Sequence, residues 1–463
     1  MDYDVLILGG GIIGCAVAYE LSKYSLNIAL IEKDYDIADD VALINSAVVY
    51  DGVECEDTLV SKLEFMGNRL IYDIVEKFNI PYKKYNSLII AEDKKSENDL
   101  IEMYNKAIDR GIDNIFLLDS KKVYELEPNL NINVKRAIHS KNTGVISPYD
   151  LAISYAEIAF DNGVNFKLEE EVLDIQKVSK GFRVITNKNK FTCNMVLNTT
   201  PGKNYSIDKS NRITESRSYL KQFLLAKSFK GSFKNIISTL NENGDKLYSV
   251  STIQGGSILS VKTDKNINCD DSLKKIYNFI GKIDEAEINN FYESPFYNDT
   301  LIIDDSLIDK GYIKVTGKHY GQVTMTPAIA SIVCETIVSN LNCVLKKDFV
   351  DKRREIYRFR DLSNDERNNI IKLDNKYGKV ICYCQKVTEG EIVDSIRRPL
   401  GARTLEAIRR RTGVTFGRCN GSQCLHKIAA ILARETDKKL TEIVRDSKNS
   451  TIVMARIKEF DEM

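Results

Sequence analysis

The chain has 463 residues, and a prior of ~150 residues per domain leaves room for several domains around a sizeable core. Lys plus Arg number 66 and Asp plus Glu 66, so no net charge draws the chain to nucleic acid. Hydrophobic residues at 43% with charged residues at 29% exclude disordered, collagenous and coiled-coil chains.

The apolar stretch Val5 to Leu21 is broken by Gly9, Gly10, Gly11 and Gly14 and preceded by Asp2 and Asp4. It suits neither a secretory signal nor a membrane span of ~20 apolar residues. Without an export signal, the ten cysteines are expected in a reducing compartment, where close clusters mean metal or redox chemistry. The expectation is a cytoplasmic protein without integral membrane contact.

In chain order, residues 3–8 read as a buried parallel strand, followed by a glycine turn, a helix to about Tyr24 and a strand at 27–32. Leu59, Leu63, Met66, Leu70 and Ile74 recur at helical spacing and predict one buried face of an amphipathic helix over 58–78. A strand at 87–91, a helix at 98–110 stopped by Gly111 and a shorter helix ended by Pro128 come next. Ser147-Pro148 reads as an N-cap with proline at the first helical position, launching a helix to about Asp161. Short strands fill 165–199, and strand-like runs such as 257–261 alternate with polar turns over 203–300. A strand at 312–316 leads through Gly317 and Gly321 to a helix over 328–341. A charged connector at 346–374 precedes a compact segment beginning near Gly378.

Gly9, Gly11 and Gly14 form G-x-G-x-x-G between a strand and a helix, and acidic Glu32 closes the next strand. In this context Gly9 makes the tight turn, Gly11 admits a pyrophosphate and Gly14 lets helix and strand pack closely. Free N–H groups around Ile12 and Ile13 would face the phosphates, and Glu32, beside Lys33, would accept from ribose hydroxyls. No second such motif follows, so one site serves either FAD or NAD; its place at the N-terminus, ahead of the 165–199 strands, favours FAD.

Cys382-x-Cys384 and Cys419-x4-Cys424 are a metal-binding set for either a structural zinc or a [2Fe–2S] cluster. Thr388 and Glu391 form a capping box, a second helix covers about 404–412, and a third is expected from about Gly421. That last start places the thiolates of Cys419 and Cys424 at a helix N-terminus. The remaining cysteines (15, 55, 193, 269, 334, 343) read as ordinary core residues. Arg409, Arg410 and Arg411 read as a solvated helix face. Their alternative role is to offset an anionic cluster and meet an acidic electron carrier.

Together with the fingerprint, Asn45-Ser46, Glu127-Pro128, the run Thr143 to Pro148 and Thr324-x-x-Pro327-Ala328-Ile329-Ala330 carry a resemblance across residues 1–345. This part resembles the FAD-dependent glycerol-3-phosphate dehydrogenase / D-amino-acid oxidase-like superfamily. Cys382-x-Cys384, Thr388 to Glu391, Arg398 to Thr404 and Gly417-Arg418-Cys419 are similar to the bacterioferritin-associated-ferredoxin-like [2Fe–2S] domain. The resemblance implies FAD, and it implies a [2Fe–2S] cluster rather than zinc on Cys382, Cys384, Cys419 and Cys424. It also implies cofactor contacts from Asn45, Ser46, Val172, Thr200, Gly317, Gly321, Val323 and Thr324.

The chain departs from the family pattern at the ring end of the flavin site. Tyr50-Asp51-Gly52 stands for His-Ala-Gly, and Asn198-Thr199-Thr200-Pro201 for Asn-Ala-Ala-Gly. An Arg-Gly-Glu-Tyr segment expected near 215–222 is missing.

The expected fold is mixed α/β and α+β. A Rossmann-like FAD domain (about 1–80, 145–205 and 300–345) interleaves with an antiparallel-sheet substrate domain (about 81–144 and 206–299). A linker at 346–378, a small helical [2Fe–2S] domain at 379–434 and a tail at 435–463 complete it. The expected function is oxidation of a small anionic alcohol or amine, with electrons leaving through the cluster to an external carrier or partner redox subunit. The alternative is a non-catalytic electron-transfer or assembly subunit that keeps both groups. Tyr50, His319 and Lys318 are the expected catalytic residues. Nucleic acid is not an expected partner, and a homo- or hetero-oligomer is an open expectation.

Overall fold

The computed structural model describes residues 1–39, 46–200, 202–203, 205–208, 217–227, 229–297, 302–316 and 319–454. Asn45, Gly317 and Lys318 lie outside the described residues.

The apolar runs noted in the sequence line up as a parallel sheet. Strand Tyr3–Leu8 lies between Ile28–Ile31 and Lys190–Asn198, and Asn165–Lys167 extends the sheet beyond Ile28–Ile31. Strand Lys190–Asn198 changes partner halfway along. Its first residues pair antiparallel with Phe182–Thr186, and its last three pair parallel with Tyr312–Thr316. Helices Ile12–Ser22, Pro148–Asp161 and Gln322–Leu341 cover one face and, with the sheet, bury a core that includes Ile7, Leu30, Tyr155, Met195 and Ile329. Ser147 caps the second helix and Pro148 occupies its first turn, as the sequence predicts. Helix Gln322–Leu341 is the one described helix long and apolar enough to cross a membrane; it is packed into this core.

The last of these helices begins at Gln322, not near Ala328, so Pro327 sits inside it. Pro327 lies just past the first turn, where the N–H groups need no intrahelical acceptor, so the helix forgoes a single backbone bond there and continues through it.

Helix Thr58–Lys77 carries the clearest phase error of the sequence reading. Leu59, Met66 and Leu70 are exposed, whereas Val60, Leu63, Glu64, Gly67, Asn68 and Ile71 are buried. The reason is close packing. A Cβ at Gly67 would collide with the carbonyl oxygen of Thr324, so the face toward helix Gln322–Leu341 must be small rather than bulky.

A second, mainly antiparallel sheet runs in the order Ile288–Tyr297, Arg217–Leu225, Ser257–Thr263, Lys246–Ser251, Ile236–Leu240, Ser87–Ala91, Arg136–Ser140 and Ile115–Asp119. Its one parallel pair joins Ile236–Leu240 to Ser87–Ala91. Strand Ala47–Val49 pairs instead with Gly144–Ile146, which brings the residues after it to the boundary between the two sheets.

The C-terminal region has its own apolar core. Hairpin Val380–Cys382 and Val387–Thr388 and helices Glu389–Arg397, Leu405–Thr412 and Leu425–Thr436 bury Ile392, Ile396, Leu405, Ile408, Ile428 and Leu432. Ile443 also packs there, and Val444 beside it is buried. The third helix starts at Leu425, one turn later than the sequence suggests, after a turn closed by Leu425 N–H on the Gly421 carbonyl.

This region docks on the nucleotide-fold sheet through buried ion pairs. Arg411 binds both oxygens of Asp36, and Arg410 reaches Asp36, Asp39 and Asp446. Arg398 and Arg353 share Glu157, while Arg353 and Arg358 share Asp150. Arg409 stacks its guanidinium 4.0 Å from the Phe416 ring, and Phe416 sits in the core of the large sheet. The solvated face expected of Arg409 to Arg411 is therefore an interface. Asp36 and Asp39 lie hundreds of residues away in sequence from Arg410 and Arg411.

Candidate functional site

Two sites emerge, a nucleotide cradle and a cysteine set, with a polar cluster between the sheets. The cradle is built by the first strand and helix. Gly9 has φ +103°, which side-chain-bearing residues rarely adopt, and a Cβ at Gly14 would strike the Gly9 carbonyl oxygen. Gly11 is the N-cap of helix Ile12–Ser22 and offers no side-chain cap, so the first N–H groups, including those of Ile12 and Ile13, are left for a ligand.

Glu32 is held rigidly at the adjacent strand end. Its Oε2 accepts from Gly10 N–H at 2.6 Å and its Oε1 from Asp34 N–H at 2.9 Å. Val172 is buried close by, on the strand that follows Glu170, whose N–H bonds to the Glu32 carbonyl. Lys33 pairs with Asp34 at the surface. The donors, the open helix end and the anchored carboxylate fit the adenosine diphosphate half of a dinucleotide.

At the other end the expected polar groups are tied to the protein. Thr324 accepts from Tyr50 N–H at 3.1 Å and donates to the Val48 carbonyl. Ser46 Oγ accepts from Ile253 N–H, and Thr200 Oγ1 donates to Asn198 Oδ1 at 2.6 Å. Gly321 caps helix Gln322–Leu341 with no side-chain bond, and Val323 is buried in that helix's first turn.

Around Tyr50 the structure gathers residues that sequence reading did not single out. Tyr50 and Tyr320 meet edge to face at 5.0 Å, and Tyr320 leans on His319 at 4.2 Å. Cys55 Sγ lies 3.9 Å from His319 Nε2 and 3.7 Å from the Tyr320 hydroxyl. His319 Nδ1 accepts from Gly321 N–H at 3.0 Å, so the ring proton of the neutral form sits on Nε2, facing the sulfur. Burial lowers His319 to about 4, so the neutral form prevails at pH 7. Glu64 Oε1 lies 3.9 Å from the same ring, on a side chain with no exposure. Neither Glu64 oxygen has a hydrogen-bond partner, and burial, then Asp51 and Glu54, push its pKa well up. Burial likewise raises the phenols of Tyr50, Tyr248 and Tyr320. Cys55 is buried as the sequence suggests but shares this polar cluster; Cys269, expected in a core, is exposed.

The four clustered cysteines come together at the tip of the C-terminal region. Cys384 Sγ and Cys419 Sγ are 3.5 Å apart, while Cys382 and Cys424 are buried behind them. Gly417 is required there, because a Cβ would collide with Cys384 Cβ. Burial opposes ionisation of Cys419, yet backbone N–H groups of Gly421 and Gln423 hold its pKa below the usual thiol value. A four-thiol set in which two members carry the exposure and two lie buried fits a [2Fe–2S] cluster seated at the surface.

Comparison with known proteins agrees with both sites. Residues 4–336 match the family described as FAD dependent oxidoreductase, and residues 380–434 match the BFD-like [2Fe-2S] binding domain. The chain is 33% identical to the glycerol 3-phosphate dehydrogenase of Caloramator mitchellensis, over 97% of this chain and 98% of that protein. It is 36% identical to the mitochondrial L-2-hydroxyglutarate dehydrogenase of Dictyostelium discoideum over 33% of this chain and 35% of that protein. The FAD-bound L-alpha-glycerophosphate oxidase of Mycoplasma pneumoniae shares the fold, with a TM-score of 0.65 and 20% identity over 77% of this chain and 99% of that one. The protein is thus an FAD-dependent dehydrogenase of the FAD dependent oxidoreductase family, with FAD and a [2Fe–2S] cluster as its cofactors.

Proposed function

We propose that the chain oxidises a small anionic alcohol or amine, of the glycerol 3-phosphate or 2-hydroxy-acid kind, and sends the electrons through the cluster to an external acceptor. The observation that carries this reading is the docking of the cysteine loop on the second sheet. Asn420 bonds Asn290 at 3.0 Å, and Arg409 reaches the Tyr292 hydroxyl, both on strand Ile288–Tyr297. The relatives' names, glycerol 3-phosphate dehydrogenase and L-2-hydroxyglutarate dehydrogenase, support the substrate class.

Bound FAD supplies two-electron acceptance and the cluster one-electron acceptance. The chain's own residues hold and orient. Helix Ile12–Ser22 and Glu32 bind the nucleotide half, and the uncapped start of helix Gln322–Leu341 offers a positive dipole end at the boundary of the sheets. Tyr50, His319 and Lys318 are the residues proposed on the substrate side. Oxidation of an alcohol also releases a proton, and Glu64 with His319 is the buried pair placed to hold it. Exposed Tyr383, Lys386 and Arg418 surround Cys384 and would meet an acidic carrier. The proposed setting is a reducing compartment.

A second reading has support from the same site. Three raised phenols and an unpartnered carboxylate crowd the ring end, as they would in a subunit that keeps its electron carriers without turning over substrate. Anaerobic addition of glycerol 3-phosphate and of 2-hydroxy acids decides between them. Bleaching of the flavin absorption followed by cluster reduction supports catalysis; a flavin that answers none of them yet exchanges electrons with the cluster supports the second reading.

A further inference from the structure

Where the cysteine loop meets the second sheet, the two surfaces do not close. A cavity of about 360 Å³ remains, with Lys227, Gln254 and Asn289 on the sheet side and Cys384, Gln385 and Arg418 on the loop side. That volume lies within the range of small-molecule sites, ~300–1,000 Å³.

Its walls are cationic and poorly satisfied. Lys227 and Arg418 are exposed to it with no ion-pair partner among the described residues. Burial, then the neighbouring charges of Arg360, Lys83 and Lys386, lower the Lys227 ammonium from its usual value, and the opposing charge of Asp361 offsets them only in part. Gln254 Nε2 and Arg360 Nη1, both lying against Gly413, are buried donors that donate to nothing. Asn289 Oδ1 and Gln385 Oε1 are buried acceptors that accept from nothing. Buried polar atoms are rarely left unpaired, and here three of them, on Gln254, Asn289 and Gln385, belong to residues lining one cavity.

We propose that this cavity binds a small hydroxylated anion, with its phosphate or carboxylate on Lys227, Arg418 and the Gln254 amide and its hydroxyls on Asn289 and Gln385. The cavity shares no lining residue with the Tyr50–His319 cluster, although Ser46, an expected flavin contact, lies on its wall. Because Cys384 forms part of its wall, an anion bound there adds negative charge beside the thiolates. Linkage then requires the anion to bind more weakly once the cluster is reduced.

The test is titration of the holoprotein with glycerol 2-phosphate, which carries its phosphate on the secondary carbon and so offers no secondary alcohol to oxidise. Binding is read by calorimetry and by the visible absorption of the cluster. The expected result is saturable binding at one site, about tenfold tighter than inorganic phosphate, as two added hydrogen bonds would give. Lys227→Met and Gln254→Leu should each weaken it about tenfold with cofactor content unchanged. A parallel titration with 3-hydroxypropionate tells a carboxylate ligand from a phosphate one, and saturable binding of either supports the site. Binding of neither, an equal response to sodium chloride at the same ionic strength, or undiminished binding in both variants overturns it. Inorganic phosphate binding as tightly as glycerol 2-phosphate removes the hydroxyl contacts from the proposal, and equal affinity for oxidised and reduced protein removes the coupling to the cluster.

Discussion

Arg411 grips Asp36 with two parallel hydrogen bonds, Nη1 to Oδ2 at 2.6 Å and Nη2 to Oδ1 at 2.7 Å, joining the last helical region to the loop after the second strand. Both side chains are almost fully buried, so the pair is held in a low-dielectric contact between the two cofactor-bearing parts.

Asp36→Asn would leave Arg411 buried without a counter-charge. The expected cost is ~3–5 kcal/mol, as for other buried pairs broken on one side. Calorimetry should then resolve an early transition of the C-terminal region, and limited trypsin digestion should cut within residues 346–378 sooner than in the unaltered protein.

Acid should loosen the same contact. Burial opposes the effect, yet the arginines hold Asp36, Asp150 and Glu157 below their usual carboxylate values. Groups depressed in the folded state bind more protons when unfolded, so their stabilisation is full above ~4 and falls as pH drops through the folded values. Melting temperature measured from pH 6 downward should fall steeply below ~4, and less steeply in Asp36→Asn.

Glu64 predicts the opposite slope. Its folded value is raised, so folding costs more as pH climbs above the ordinary carboxylate value. Glu64→Gln should raise the melting temperature at pH 8 and change it little at pH 4. An equal gain at both values would mean that the Glu64 carboxyl is not raised in the folded protein.

Cofactor retention should separate cleanly by region. Gly11→Val and Gly14→Ala should lose flavin, the first by blocking phosphate approach and the second by striking the Gly9 carbonyl. Gly417→Ala and Cys419→Ser should lose iron and acid-labile sulfide while keeping flavin, since each region has its own apolar core. Absorption spectra with iron and sulfide assays check both pairs.

What the sequence revealed follows how local the physics is. Gly9, Gly11, Gly14 and Ser147 are constrained by backbone geometry within a few residues, so the first fold unit and the helix at Pro148 could be read directly. The cysteine spacing is equally local. Helix Thr58–Lys77 was misphased because its buried face answers to Thr324, far along the chain, and closeness there demands Gly67 rather than leucine. Arg410 and Arg411 looked solvated because nothing near them in sequence announces Asp36. Glu64 and Cys55 gave no signal at all, since only the fold brings them to His319.

The uneven burial of the four clustered cysteines gives the metal centre a front and a back. Cys384 is exposed and Cys419 partly so, whereas Cys382 and Cys424 are each 1% exposed. Solvent stabilises added negative charge best at the front, so Cys384 and Cys419 would hold the side of a bound cluster from which an electron is offered outward. Oxidants would reach that side first as well. In protein stripped of its metal, iodoacetamide should therefore label Cys384 and Cys419 ahead of Cys382 and Cys424, so damage and delivery share one door.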